Sequence, residues 1–241
     1  MSKRHRTLMA LCIVLTLLGL SGCVMQQGLS MTRTRSGWAT TDLYVYDFFL
    51  NVLEDFEPFT EEPRDMSIMD ASIEDFVQRL YETRSATDVA SMKIGANGYF
   101  IDFVFTSLEE LLQDLNRREP QSIARVTETA SETTLRFHLD IDNYPQLTRM
   151  VPFLADPNFE TFGPLYNEGM SEEEYLDMIS YILGEEGPGS IEESVISLRI
   201  TTPTIIRRHE GGIKESPNSI RFDIPLIEFL LLAEPIRFSA T

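Results

Sequence analysis

Along the chain the spacing of apolar positions switches repeatedly between a period near two and a period near three and a half. Leu29, Met31 and Arg33 lead into Arg35-Ser36-Gly37. Trp38 to Tyr46 follows, rich in β-branched and aromatic residues, which predicts a hairpin turning at Ser36-Gly37. Phe48, Phe49, Val52, Leu53 and Phe56 then recur at helical spacing up to Pro58, and Thr60 to Met69 reads as a loop. Ser72-Ile-Glu-Asp75 can cap a helix bearing Ile73, Phe76, Val77, Leu80 and Tyr81. A short strand from Val89 to Ile94, a turn at Gly95–Gly98 and a strand at Tyr99–Phe105 come next. The last is apolar at nearly every position and is therefore expected inside a sheet. Ser107-Leu-Glu-Glu110 forms a capping box for a helix presenting Leu108, Leu111, Leu112 and Leu115 on one face.

Ile123–Thr129 and Thr133–Ile141 predict a second hairpin around Ser131-Glu132, with Leu135, Phe137 and Leu139 alternating with Arg136, His138 and Asp140. Tyr144 to Gly187 is mostly helical in pattern, and its strongest helix opens at Ser171-Glu-Glu-Glu174. Strand character returns at Val195–Ile200. Ile205–Arg208, the turn at Gly211-Gly212 and Ile220–Ile224 read as a further hairpin. Pro225 opens a last helix, Leu226–Leu232, and Ile236–Phe238 closes the chain as a strand. Strand pairs separated by single helices predict an α+β fold: a mostly antiparallel sheet built from hairpins, helices on one face, and a helical insertion over about 144–188.

The first 22 residues stand outside that fold. Lys3, Arg4 and Arg6 precede an apolar run from Leu8 to Leu20, the layout of a secretory signal. The run is too short to span a bilayer comfortably, which takes about 20 apolar residues. Leu20-Ser21-Gly22 directly before Cys23 resembles a lipobox. That resemblance implies cleavage before Cys23, diacylglycerol on its sulfur and, usually, an acyl chain such as palmitate on the new amine. The expected domains are then a lipoprotein signal peptide, 1–22, and a single α+β domain, 23–241. Val24, where an aspartate is absent, favours an outer membrane over an inner one in a host that has both.

Charge and cysteine usage narrow the chemistry. The signal carries three of the 20 Lys and Arg and none of the 38 acids, which leaves 17 against 38, a net of −21. Such a body repels nucleic acid and anionic headgroups, so no nucleic-acid partner is expected. Cys12 leaves with the signal and Cys23 is consumed by lipid, so neither a disulfide, a thiolate metal site nor a cysteine nucleophile is expected in the body. Its 219 residues must be held by their core alone.

Motifs for catalysis are thin. His138 and His209 are the body's two histidines, without partners at ligand spacing, and both read as surface residues. Gly184-Glu-Glu-Gly-Pro-Gly189 lacks the lysine of a phosphate loop and carries two carboxylates, so it reads as a helix end and turn. Asp140-Ile-Asp142-Asn143 fails as a calcium loop, because Pro145 and Val151 stand where glycine and glutamate are needed. Glu172, Glu173, Glu174 and Asp177 read as a solvated helix start. The aromatics Trp38, Tyr44, Tyr46, Phe48, Phe49, Phe56 and Phe59, with Tyr99–Phe105, are expected to fill the core; the alternative is a lined apolar pocket. No catalytic residue, metal site or cofactor is expected.

In the C-terminal half, Phe162-Gly-Pro-Leu-Tyr-Asn-Glu-Gly-Met-Ser-Glu-Glu-Glu-Tyr-Leu-Asp-Met178 and Leu183-Gly-Glu-Glu186 are followed by Thr202-Pro-Thr-Ile-Ile206. A Gly-Gly turn and Asn218-Ser-Ile-Arg-Phe-Asp-Ile-Pro-Leu-Ile-Glu-Phe-Leu-Leu-Leu232 complete the series. With the lipobox, this resembles a group of uncharacterised spirochaete-type lipoproteins that share a general plan with the LppM-type lipoprotein domain. The resemblance implies a lipidated cysteine, an immediate hairpin, an α+β body and a closing strand–helix–strand, and it carries no catalytic residues. The expected function is thus a lipid-anchored cell-envelope module, facing periplasm or exterior, that binds a protein or lipid partner without catalysis. The alternative is a carrier of a lipid or other amphiphile.

Overall fold

A computed structural model describes residues 23–47, 49–51 and 66–241. The first hairpin forms as expected. β1 (Cys23–Met31) and β2 (Gly37–Tyr44) pair antiparallel, Met31 opposite Gly37, around a turn in which Arg35 takes a positive φ of 65°. The predicted helix over Phe48–Phe56 is described only at Phe49–Asn51, which are helical; Phe48 and Phe56 lie outside the described residues.

α1 (Ile68–Glu82) starts earlier than its expected cap at Ser72. Ser67 is the cap, accepting from the Asp70 amide at 3.1 Å, while Ser72 lies inside the helix and donates to the Ile68 carbonyl at 2.8 Å. Both serines precede an acid by three residues, and burial decides between them: Ile68 and Met69 enter the core and draw the first turn with them. β3 (Ala86–Ile94) and β4 (Gly98–Phe105) form the next hairpin, and α2 (Leu108–Leu115) is capped by Ser107. β5 (Ala124–Glu128) and β6 (Thr133–Leu139) match the expected second hairpin.

The helical stretch contains α3 (Tyr144–Met150), a 3-10 turn at Pro152–Ala155, α4 (Pro157–Glu160), α5 (Glu172–Leu183) and α6 (Glu186–Glu192). β7 (Val195–Thr201), β8 (His209–Glu210), β9 (Ile213–Ser216), β10 (Ser219–Pro225), α7 (Leu226–Leu231) and β11 (Ile236–Ala240) complete the chain. The partner of β10 in its hairpin is β9, not Ile205–Arg208. Gly211 and Gly212, both at positive φ, end β8 and redirect the chain into β9, while Ile206 is buried in the core.

The fold is α+β, with two mostly antiparallel sheets among the described residues where one was expected. The larger runs β3-β4-β2-β1-β7-β10-β9, and its exception is the parallel pair β1–β7; the smaller runs β5-β6-β11-β8. One face of the larger sheet is covered. Ile101, Phe103 and Phe105 of β4 and Ile200, Ile220 and Phe222 of β7 and β10 meet Leu80 of α1, Leu111 of α2, Tyr144 of α3 and Leu139 and Phe238 of the smaller sheet in one core. Phe238 is stacked between Phe137 and Phe222, with ring centroids 4.5 and 4.1 Å away, which ties the two sheets together. A separate cluster joins Tyr175, Ile179 and Leu183 of α5 to Ile191 of α6 and Ile227 and Leu231 of α7.

Candidate functional site

Side-chain alternation makes the other face of the large sheet the open one. Ala39 and Thr41 of β2 point to the core, so Trp38, Thr40, Asp42 and Tyr44 point away. On β4, Phe100, Asp102 and Val104 do the same. The run at Tyr99–Phe105 is therefore paired on both edges, as expected, but covered on only one face. The register lines these residues up in rows across strands. One row is Met92–Phe100–Asp42–Gln26–Ser197–Asp223, and the next is Ala90–Asp102–Thr40–Gly28–Arg199–Arg221.

Gly28 makes a dip in the second row. A side chain there would run into Thr40 Oγ1. The dip is a cavity of about 150 Å³ lined by Gln26, Thr40, Asp42, Phe100, Ser197 and Arg199, below the roughly 300 Å³ at which small-molecule sites begin. Arg199, at its rim, belongs to a charged network on the neighbouring strands. Glu215 accepts from Arg199 at 2.8 and 3.2 Å and from Arg221 at 3.2 Å. Arg221 also donates to Asp223, which accepts from Ser197 at 2.8 Å. The Arg199 hydrogen bond, opposed by slight burial and helped by both guanidinium charges, holds the Glu215 carboxyl below its usual range. This network ties β7, β9 and β10 to one another.

Cys23 is the first residue of β1, with its backbone in register with Val195. The strand thus begins at the cysteine. Leu20, Ser21 and Gly22 lie outside the described residues. At this end of the sheet β2 finishes at Tyr44, opposite Gly98, and Gly98 faces Ile94 at the end of β3. Tyr44, Met92 and Ile94 are 47, 58 and 50% exposed, three apolar neighbours on the open face. Nearby, Lys93 donates to both oxygens of Asp70 at 2.8 Å, and Tyr99 adds a third bond at 3.0 Å. Burial raises the Asp70 carboxyl, but the bonds from Lys93, Ser67 and Tyr99 outweigh it and set it below the usual value.

The other candidates are spoken for. His138 donates through Nε2 to Asp140 at 2.7 Å and accepts at Nδ1 from Arg237 at 3.1 Å, so both ring nitrogens are used. His209, exposed, bonds the Gly211 carbonyl. Asp140 and Asn143 exchange side-chain-to-backbone bonds at 3.0 Å, an Asx-type turn at the start of α3. Glu174 closes the capping box with Ser171, and Glu172, Glu173 and Asp177 are exposed. Among the described residues no group of three His, Cys, Asp or Glu is placed to hold a metal ion. Gly184 ends α5 at positive φ as the pattern implies, but the following glycines enter the short α6, where Gly187 lies against Ile179 and Leu183 too closely for any larger residue. Of the aromatics expected in the core, Tyr99, Phe103 and Phe105 are buried and Phe49 packs edge-on to Phe162, but Trp38 and Tyr44 alternate onto the open face and are exposed; Phe48, Phe56 and Phe59 lie outside the described residues. No described aromatic gives the carrier alternative an observation in its favour. Nothing in the sequence announces the open-face rows, which arise from pairing between strands far apart in the chain.

Among the described residues no helix is long and apolar enough to cross a membrane. No family model matches the chain, and no curated protein matches it. Among solved structures, the folded domain of the LppM protein of Mycobacterium tuberculosis, determined by NMR, is similar at a TM-score of 0.36 and 10% identity. The match covers 91% of this chain and 89% of that one.

Proposed function

We propose that this protein is a lipid-anchored module of the bacterial cell envelope that displays an open sheet face to a partner and performs no catalysis. The observation that carries the reading is the double role of Cys23. It follows Leu20-Ser21-Gly22 behind a basic and apolar leader, and it is also the first residue of β1. A lipid on that residue fixes the large sheet beside a membrane with no linker between them. The uncovered face, with exposed Trp38, Asp42 and Arg199, is the surface left for recognition.

Replacing Cys23 with Ser in the full chain tests the anchor. The expected outcome is release from the membrane fraction with the far-ultraviolet circular dichroism of the body unchanged. Retention of the variant on membranes would overturn the reading. Turnover in a hydrolase panel, abolished by one carboxylate substitution, would overturn its non-catalytic part.

A further inference from the structure

Resting on that lipid-anchored reading, we propose that the corner of the large sheet formed by Tyr44, Met92 and Ile94 lies against the bilayer and sets the tilt of the body on it. Cys23 opens β1, so the attachment point and the strand end are one place. The interfacial layer of a bilayer is about 5–8 Å deep on each side, and one residue of extended chain reaches at most about 3.6 Å. Whatever shares the strand end with Cys23 must therefore meet the interface. Tyr44 ends the strand next to β1, and Ile94 lies across β4 from it in the same row. Strands sit about 4.8 Å apart, which puts Ile94 about 15 Å from β1.

What lies on the two sides of β1 decides which way the body leans. On the β2–β4–β3 side, the large apolar side chains exposed at this strand end among the described residues are Tyr44, Met92 and Ile94. Of the nearby charges, Lys93 is paired with Asp70 and Asp47 with Asn97, while Asp42 stands exposed one row back from the strand end. On the other side β7 is preceded by α6 and its flanks, where Glu185, Glu186, Glu192 and Glu193 are exposed. A body of net charge −21 gains by turning that acidic side from the headgroups and resting its apolar corner in the interface, where tyrosine is at home. Trp38, on the same open face but at the far end of β2, stays clear. The occupant is thus the headgroup–acyl boundary of the membrane that holds the lipid of Cys23.

Labelled lipidated protein tests this. With Cys23 acylated and Cys12 removed, a single introduced cysteine is the only thiol. Ile94→Cys, Met92→Cys and Thr87→Cys place a fluorophore on one strand, position 87 lying at its far end. In phosphatidylcholine vesicles carrying headgroup spin-labelled lipid, positions 94 and 92 are expected to be quenched several-fold more than position 87. Equal quenching at all three, with intact mass showing diacylglycerol on Cys23, would refute the docked corner and leave the anchor standing. A mass without lipid on Cys23 would remove both.

Discussion

Tyr175 shows how much one side chain fixes. Its ring is wholly buried among α5, α6 and α7, and its hydroxyl donates to the Phe162 carbonyl at 2.9 Å. Tyr175→Phe keeps the ring but leaves that carbonyl without its donor, an expected loss of about 1–3 kcal/mol, read from the urea midpoint at neutral pH. Tyr144 carries a pH dependence. Burial, helped by the charge of Glu160, pushes its phenol up to about 12. A raised phenol pKa means the folded chain holds its proton longer than the unfolded chain. The contribution is therefore complete below about pH 10, the unfolded value, and is lost as pH climbs toward 12. Urea midpoints at pH 8 and 11 should fall further apart in the wild type than in Tyr144→Phe. Some single residues were legible in advance: Ser107 and Ser171 as caps, and Gly184 as a stop. Ser67 was not, because Ser72 has an acid at the same spacing and only the burial of Ile68 and Met69 separates the two.

At the scale of elements, what reads from sequence is what is local. The β1–β2, β3–β4 and β5–β6 hairpins and the long helices carry their periodicity, turns and caps within one window of chain. In the β9–β10 hairpin, Ile205 and Ile206 imitate a strand in the sequence pattern, whereas Ile206 plugs the core and Ile213–Ser216 pairs through an outward, polar sequence. The parallel pairing of β1 with β7 joins residues about 170 apart and has no local trace. It is this pairing that brings Ser197 and Arg199 beside Gln26 and Gly28 and so makes the dip, while the exposed corner comes from the pairing of β2 with β4, about 60 residues apart in the chain. α5 holds its own start: Ser171 accepts from the Glu174 amide, and Glu174 accepts from the Ser171 amide at 2.9 Å. Ser171→Ala should cost about 1 kcal/mol, checked by thermal melting, with an unchanged β-sheet spectrum.

Over the whole molecule, two sheets clamped through Phe137, Phe238 and Phe222 give a body held by packing rather than by crosslinks, as a cysteine-free interior requires. Among the described residues, the helices and the small sheet occupy one side of the large sheet and leave the other side uncovered. The proposed anchor at the first residue of β1 would turn that asymmetry into an orientation, with one strand end at the membrane and the open face beside it. The proposed orientation depends on the chemistry of Cys23. Intact mass spectrometry of the mature protein purified from a lipoprotein-processing bacterial host tests it most directly. The expected mass is that of a chain beginning at Cys23 and carrying diacylglycerol and an acyl chain. A chain retaining residues 1–22, or one beginning at an unmodified Cys23, would contradict the anchor.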